Sequence, residues 1–243
     1  LLLMLCTVIK AQEPTVETVG NLKYYCDPAT MEATVVGPIE SWDNDEFNQS
    51  FTKIDIQTTV TSGGNVYKVT TIDEEAFYSF DSVKEVNIPE GIATIEKIAF
   101  LSMYRLEKVV LPSTLKKIGY EAFSYERALT SVISHVTDPS AVEVDKTAFA
   151  LQLDDWDDEL GEYKSLKPYQ AELYVPEGTK DSYAGTYWDY FSKIIEGEPV
   201  MKVVGSLKYQ CFKDSKSAKV VAGDYAALTS VEIPVTVTID GTD

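Results

Sequence analysis

The sequence predicts a β-rich repeat solenoid of mixed α and β content (α+β). Three observations lead to this prediction: apolar columns recur every 23 residues, each repeat contains a short strand-like stretch, and β-rich and aromatic-rich segments flank the repeats. The strand-like stretches have the form apolar-x-x-apolar-x-apolar, in which alternate residues face the same side. One such unit cannot bury its apolar side alone, whereas stacked units can, with strands about 4.8 Å apart.

The repeats begin near residue 69 and keep their spacing over three copies. The apolar columns are Ile72, Ala76, Phe77, Val83, Val86 and Ile88 in the first copy, Ile95, Ala99, Phe100, Leu106, Val109 and Leu111 in the second, and Ile118, Ala122, Phe123, Leu129 and Val132 in the third. The pattern then weakens, because Ser134 and His135 replace an apolar residue and a proline, and a partial fourth copy follows at 147–149. We expect the phenylalanine column to stack as a ladder along the core.

These columns resemble the 23-residue repeat of the BspA-like leucine-rich-repeat family, whose consensus is close to I-x-x-I-G-x-x-A-F-x(5)-L-x-x-V-x-I-P. Residues 117–123, KIGYEAF, match it almost letter for letter. The resemblance covers roughly residues 17–196 and implies a short leucine-rich-repeat solenoid. The sequence departs from the family pattern at the third proline position and in a long acidic insert near 151–170.

The resemblance also implies where the parts of the chain begin and end. A β-rich N-terminal lead-in spans 17–68 and contains a hairpin that turns at Gly63 and Gly64, because glycine supplies the positive φ such a turn needs. The solenoid with its C-terminal cap spans 69–196. Its terminal unit is similar to that of the family, with a last strand at 171–175 followed by a short capping helix with an aromatic inner face.

A second, longer repeat overlies the first. Residues 19–26 return as 204–211, an offset of 185 residues, and residues 33–36 return as 218–221. We interpret 200–243 as the truncated lead-in of a second module and expect tandem modules in the whole protein.

Residues 1–11 are interpreted as a signal-peptide remnant, because their nine-residue apolar run is too short to span a bilayer. Cleavage after Ala11 fits this interpretation. One alternative is a lipoprotein signal acylated at Cys6, although Leu5 stands where a small residue is expected; another is a buried strand of the mature fold. We favour ordinary secretion, and we expect no membrane insertion of the mature chain.

The charge balance restricts the partners. The chain has 21 basic and 39 acidic residues and a net charge of −18. Nucleic-acid binding requires clusters of Lys and Arg to neutralise phosphates, so the sequence argues against it. It argues equally against docking on an anionic membrane, and we interpret the acidity as favouring the solubility of an exported protein.

The sequence offers no candidate catalytic residue, so we expect a protein that is not an enzyme and carries no cofactor. His135, the only histidine, stands beside Ser134 and is interpreted as an ordinary surface or strand-end residue. Zinc sites require clustered Cys and His ligands, and none is visible. Cys26 and Cys211 occupy equivalent positions of the two modules, which favours small buried hydrophobes over the two halves of a disulfide.

An acidic run at 154–162 is a weak candidate for a Ca²⁺ site. Its carboxylates are Asp154, Asp155, Asp157, Asp158, Glu159 and Glu162. Calcium prefers oxygen ligands, but the run lacks the glycine and the later glutamate of an EF-hand loop. We favour a solvated loop over a calcium site, and a glycosidase carboxylate pair least of all, because that chemistry needs a rigid cleft.

The repeats predict a protein-binding face on the sheet. If Val86, Val109 and Val132 point inward, the outward stripe consists of Glu85, Asn87, Lys108, Val110, Ser131 and Ile133. Such a stripe covers about 200 Å², whereas a stable interface buries about 800 Å² per partner. One module should therefore bind weakly, and tandem modules would compensate by multivalency.

Exposed tyrosines could add contacts to proteins or glycans, although packing in the core or at its rim is favoured for each. The candidates are Tyr78, Tyr104, Tyr125 and Tyr187.

The family resemblance implies a secreted or cell-surface bacterial protein that mediates protein–protein interaction or adhesion, with proteins of the host matrix or of neighbouring cells as partners. The alternatives are a structural spacer that displays another domain, a glycan-binding module and, least favoured, an unrecognised hydrolase.

Overall fold

The structure is a computed structural model. It describes residues 13–153, 156–157, 162–163, 166–167, 171–188, 191–205, 207–212, 217–220 and 236–238. Within 152–170 it describes the backbone of four two-residue strands and no side chains.

A β-rich lead-in precedes the solenoid. Its elements are β1 (Thr15–Val19), β2 (Leu22–Asp27), β3 (Glu32–Pro38), α1 (Asp45–Ser50), β4 (Thr59–Ser62) and β5 (Asn65–Ile72). The first three strands form an antiparallel meander, and the β4–β5 hairpin turns at Gly63 and Gly64, whose φ angles are 55° and 83°. Because β3 also pairs in parallel with β5, the sheet of the lead-in continues into the solenoid without interruption.

The solenoid is a coil with two parallel sheets. Its elements are β6 (Glu85–Asn87), β7 (Thr94–Ile95), β8 (Lys108–Leu111), β9 (Lys117–Ile118), β10 (Ser131–Ser134), β11 (Glu143–Val144), the insert strands β12 (Gln152–Leu153), β13 (Trp156–Asp157), β14 (Glu162–Tyr163) and β15 (Leu166–Lys167), and then β16 (Glu172–Val175), α2 (Lys180–Tyr183) and β17 (Lys193–Glu196). Sheet A joins the lead-in strands to β7, β9 and β11, and sheet B has the order β17-β16-β10-β8-β6. Each turn of the coil therefore contributes one strand to each sheet.

Strand pairing follows the 23-residue columns. In sheet A, Ile95 pairs with Ile72 on one side and Ile118 on the other, and in sheet B, Val109 pairs with Val86. These residues are all at most 1% exposed. The apolar columns of the sequence are thus the two inner faces of the coil, and the predicted solenoid fold is confirmed.

The phenylalanines form the expected ladder. Phe77, Phe100, Phe123 and Phe149 stack in order, with ring centroids 5.2, 4.9 and 5.3 Å apart and ring planes inclined by 15°, 4° and 4°. All four rings are fully buried. The ladder shows that the fourth copy is complete, since Phe149 keeps the register and β16, beyond the acidic insert, supplies the sheet B strand of that turn.

The C-terminal cap differs from the prediction. The capping helix expected at 188–194 is not confirmed: among the described residues of the cap, helical structure is limited to the four residues of α2, and β17 begins inside the expected segment. β17 pairs in parallel with β16, so it adds a fifth strand to sheet B. The aromatic inner face is nevertheless present, because Trp188 and Phe191 pack at 5.6 and 5.1 Å against Phe149 and close the end of the core.

A second antiparallel meander, here named the distal sheet, follows the solenoid. Its strands are β18 (Val200–Val204), β19 (Leu207–Phe212) and β20 (Ser217–Val220). Cys211 pairs with Ala218 just as Cys26 pairs with Ala33 in the lead-in. The strand pairing therefore repeats at the same 185-residue offset as the sequence.

Candidate functional site

The outer face of sheet B contains all six residues of the predicted stripe. Alternation along the strands turns Val86, Val109 and Val132 into the core, and their sequence neighbours face outward. The structure leaves Glu85 and Asn87 exposed and Lys108, Val110 and Ser131 half-buried. Ile133 differs from the others, because it is only 4% exposed.

The end of this face formed by β6 and β8 is charged and open. The Lys108 ammonium donates a hydrogen bond of 2.8 Å to Glu85 Oε1, and the Asn87 amide donates to the same oxygen at 3.2 Å. The hydrogen bond from Lys108 holds the pKa of Glu85 below its ordinary value. Both side chains of the pair keep substantial exposure, 38% for Lys108 and 47% for Glu85, so they can contact another molecule.

The other end of the face, formed by β10, β16 and β17, is apolar and covered. Ile133, Tyr174 and Ile195 are 4%, 0% and 3% exposed and form a hydrophobic cluster separate from the main core, with Val110 at its edge. Ile133 pairs with Tyr174, and Tyr174 with Ile195, so the three side chains stand in one row across the sheet. This end of the stripe is therefore not open to a partner in this structure.

Residues of the distal sheet contact Tyr174 and Glu172 at this end of the face. The Tyr174 hydroxyl accepts a hydrogen bond from the Gln210 side-chain amide at 3.0 Å and donates one to Glu172 Oε2 at 2.5 Å. The Lys219 ammonium lies 3.8 Å from the same Glu172 oxygen. Because Gln210 pairs with Lys219 across β19 and β20, the contacts come from one face of the distal sheet.

Tyr174 and Ile195 were not predicted as members of this face. The alternation in β16 would have placed Tyr174 beside Ile133, since Val132 and Leu173 both face the core. Ile195 directly follows the segment 188–194 that was expected to be helical, so no strand was predicted there. Gln210 and Lys219 had no local signal, because the residues they contact, Tyr174 and Glu172, are distant in sequence.

Ser134 and His135 do not form a nucleophile–base pair. Ser134 is 2% exposed, and its hydroxyl lies 2.8 Å from the Tyr183 hydroxyl. Tyr183 donates to the Val136 carbonyl at 2.6 Å, and burial raises its pKa to about 12. His135 follows β10, and its Nε2 lies 2.8 Å from Glu198 Oε1, so each residue has a separate structural role.

The cysteines and the acidic run were the other candidate groups in the sequence. Cys26 and Cys211 are buried free thiols, and burial raises the pKa of Cys26. The side chains of the weak calcium candidates Asp154, Asp155, Asp157, Asp158 and Glu159 lie outside the described residues. Among the residues that are described, no three His, Cys, Asp or Glu side chains come together to hold a metal ion.

Two exposed tyrosines line a trough that runs along the other side of the coil, at sheet A. Tyr187 is 53% and Tyr120 is 37% exposed. Three adjoining depressions of about 450, 340 and 520 Å³ make up the trough; Tyr120 lines the first two and Tyr187 the last two. Of the other candidates, Tyr104 is 43% exposed, and Tyr78 and Tyr125 are half-buried. Tyr120 was not anticipated from the sequence.

Stacked turns, two parallel sheets and an internal phenylalanine ladder define a β-solenoid of the leucine-rich-repeat class. Residues 46–151 match the model of the BspA type leucine rich repeat region in six copies. This part of the chain is therefore a BspA-type leucine-rich-repeat region, and the predicted family is confirmed.

Three solved structures are similar to the chain. One is a leucine-rich repeat protein from Bacteroides capillosus ATCC 29799, with 22% identity, a TM-score of 0.44 and coverage of 66% of this chain and 97% of that chain. Another is a leucine rich cell surface protein from Faecalibacterium prausnitzii A2-165, with 17% identity, a TM-score of 0.41 and coverage of 84% and 60%. The third is a leucine-rich repeat protein from Bacteroides ovatus ATCC 8483, with 14% identity, a TM-score of 0.36 and coverage of 74% and 71%.

No curated protein matches the chain. Across the part of the chain that the structure describes, there is no helix of the length and apolarity needed to cross a membrane.

Proposed function

We propose that this protein is a secreted or cell-surface adhesion module, without enzymatic activity, that binds extracellular proteins through the open end of sheet B. The observation that carries this proposal is the Glu85–Lys108 pair, which is exposed on a rigid sheet beside Asn87. A BspA-type repeat region is consistent with a protein-interaction module. Partners would be proteins of the host matrix or of neighbouring cells.

Rigidity of the stripe supports this role. The face rests on strands whose inner residues, Val86 and Val109, are fully buried. Further ion pairs between successive turns, Lys84–Glu107 at 2.9 Å and Lys97–Glu74 at 2.8 Å, hold the neighbouring loops. A surface fixed in this way loses little conformational entropy when it binds a partner.

The size of the open surface indicates weak binding by one module. Two strands of the stripe remain open, so the available area is below the roughly 200 Å² of three strands and far below the roughly 800 Å² per partner of a stable interface. We therefore expect the adjacent loops to contribute, or several modules to act together by multivalency.

A charge swap tests the proposal with little risk to the fold. The double variant Glu85→Lys with Lys108→Glu exchanges the two charges and preserves their ion pair. The matched control is Glu74→Lys with Lys97→Glu, which exchanges a pair of the same length on another surface. Binding to a panel of extracellular-matrix proteins is measured by surface plasmon resonance for the wild type and both variants.

If the stripe is the contact surface, only the charge swap within it should reduce binding. Its swap should weaken binding by about tenfold, because the partner then meets charges in the wrong positions, and the control should bind like the wild type. Equal binding by both variants would exclude the stripe as the contact surface. No binding by the wild type to any protein of the panel would contradict the adhesion role and favour a spacer that displays another domain.

The tyrosine trough supports glycan binding as a second candidate function. Tyrosine offers an apolar ring face with a polar tip, and Glu96, Lys117 and Asp145 line the trough beside Tyr120 and Tyr187. Aromatic rings next to donors and acceptors suit a polyhydroxylated chain. A glycan array tests this role: Tyr120→Ala with Tyr187→Ala should abolish any signal, and Tyr104→Ala, exposed outside the trough, should retain it.

A further inference from the structure

We propose that the apolar end of sheet B is the docking surface of the distal sheet, and that Tyr174 is the centre of a joint that holds the two at a fixed angle. The outer face of sheet B would then have two separate uses. Its charged end remains available to an external partner, and its apolar end joins the solenoid to the next part of the same chain.

The burial of Tyr174 carries this inference. Tyr174 points away from the solenoid core, because its neighbours in sequence, Leu173 and Val175, belong to the main core and it does not. A side chain on the outer face of a solenoid is ordinarily exposed, yet Tyr174 is 0% exposed. Its neighbours in the row, Ile133 and Ile195, are 4% and 3% exposed. Such a row of outward apolar side chains is typical of an interface that excludes water.

Polar contacts at the edge of the row fix the position of the distal sheet. The Tyr174 hydroxyl is satisfied on both sides, by donating to Glu172 and accepting from Gln210. Lys219 adds a positive charge beside Glu172. An apolar centre with hydrogen bonds at its edge has the anatomy of a specific interface.

The two meanders differ at the positions that make these contacts. By the 185-residue offset, Tyr25 and Thr34 of the lead-in correspond to Gln210 and Lys219. The lead-in face is open, with Tyr25 at 41% and Val16 at 60% exposure. Gln210 and Lys219 are therefore features of the distal sheet and not of the meander in general, which is expected if they serve the joint.

Zero-length cross-linking of the full chain tests the joint. A carbodiimide joins an amine to a carboxylate in direct contact, so it should link Lys219 to Glu172, and mass spectrometry should find that peptide pair. The Glu85–Lys108 pair within the solenoid is the positive control. Lys219→Arg keeps the charge but removes the reactive amine, so it should lose the link. Formation of the control link without the Glu172–Lys219 link would overturn the proposal.

Chemical modification of tyrosine gives an independent measurement. Tetranitromethane should nitrate Tyr174 about tenfold or more slowly than the exposed Tyr187, because Tyr174 reacts only when the joint opens. The variant Gln210→Ala with Lys219→Glu should raise the rate at Tyr174 and leave the far-ultraviolet circular dichroism unchanged. Equal rates at Tyr174 and Tyr187 in the wild type, or continued protection of Tyr174 in the variant, would contradict the proposal.

Discussion

Phe100 and Phe123 stack face to face, with ring centroids 4.9 Å apart and ring planes inclined by 4°. The 23-residue spacing of these residues equals one turn of the coil, so one residue type at one position produces a continuous column. Phe100 also stacks on Phe77 at 5.2 Å, so it is in contact on both faces. In a solenoid each turn is stabilised mainly by its neighbours, and such an internal position should be the most sensitive one.

Phe100→Ala should therefore destabilise the protein by about 3–5 kcal/mol, the usual cost of truncating a buried phenylalanine. The variant loses the buried apolar area of the ring and its stacking contacts with Phe77 and Phe123. It also leaves a cavity in the core. Urea denaturation followed by circular dichroism measures the change. Tyr104→Ala, at a 43% exposed site, should change the free energy of unfolding by less than about 1 kcal/mol. A similar loss of unfolding free energy in both variants would contradict the view that the phenylalanine ladder stabilises the core.

The tight turns around the ladder require unusual backbone angles at fixed positions. Glu75, Ile98 and Glu121, each just before an Ala-Phe pair, have φ of 57°, 62° and 51°. This left-handed region suits glycine and asparagine and is unfavourable for β-branched residues. Ile98 is thus the most strained of the three, because isoleucine has the least freedom there.

Ile98→Asn should stabilise the protein by about 1 kcal/mol, since asparagine tolerates the left-handed conformation that costs isoleucine about 1–2 kcal/mol. Part of the gain is offset because Ile98 is half-buried. Thermal and urea denaturation measure the effect. Ile98→Val keeps the β-branch and should give no gain; a gain in the valine variant equal to that in the asparagine variant would show that backbone strain is not the cause.

The repeat columns were predictable from the sequence because burial on a coil depends on spacing alone. Ile72, Ile95 and Ile118 must share a face once the period is known, and the Phe column follows from the same period. β17 was not predictable in this way. The helix was expected there from the family resemblance, whereas the edge of β16 offers unpaired backbone groups that a strand satisfies better.

The candidate site was predictable only in part. Alternation along β6, β8 and β10 identified the outward stripe, because it depends on local geometry. The contacts at the other end of the face, from Gln210 to Tyr174 and from Lys219 to Glu172, come from residues that lie far along the chain. Contacts of this kind arise from the relative position of two sheets, and no periodicity within either sheet encodes them.

Gly119 marks a close approach between neighbouring turns. A Cβ atom at this position would lie 2.7 Å from the Lys97 backbone nitrogen and 2.9 Å from the Glu96 carbonyl carbon. Both contacts are to backbone, which cannot rotate away, so Gly119→Ala should cost about 1–3 kcal/mol. Glu96→Ala, at the same column one turn earlier, already has a Cβ and should lose less than about 1 kcal/mol with its surface ion pair. Denaturation experiments measure both changes. An equal loss of unfolding free energy in the two variants would contradict a backbone clash at position 119.

Glu126 occupies a column that is otherwise apolar. Its counterparts one and two turns earlier are Met103 and Phe80, and all three are buried. Glu126 Oε1 accepts a hydrogen bond from the Met103 backbone amide at 3.1 Å. Burial raises the pKa of Glu126 well above its ordinary value, and the nearby Asp81 charge raises it further.

The raised pKa gives stability a defined pH dependence. Below the ordinary glutamate pKa, about 4.3, Glu126 is protonated in both the folded and the unfolded chain, so its ionisation takes nothing from the stability. As pH rises above that value, the unfolded chain releases the proton first, so the contribution of Glu126 to the free energy of unfolding falls. Glu126→Gln should therefore be more stable than the wild type at pH 7, and nearly equal to it near pH 4. Urea denaturation at both pH values measures this difference, with the exposed Glu40→Gln as the control that should show no such trend. A stability difference independent of pH would indicate that glutamine acts through packing and not through the proton.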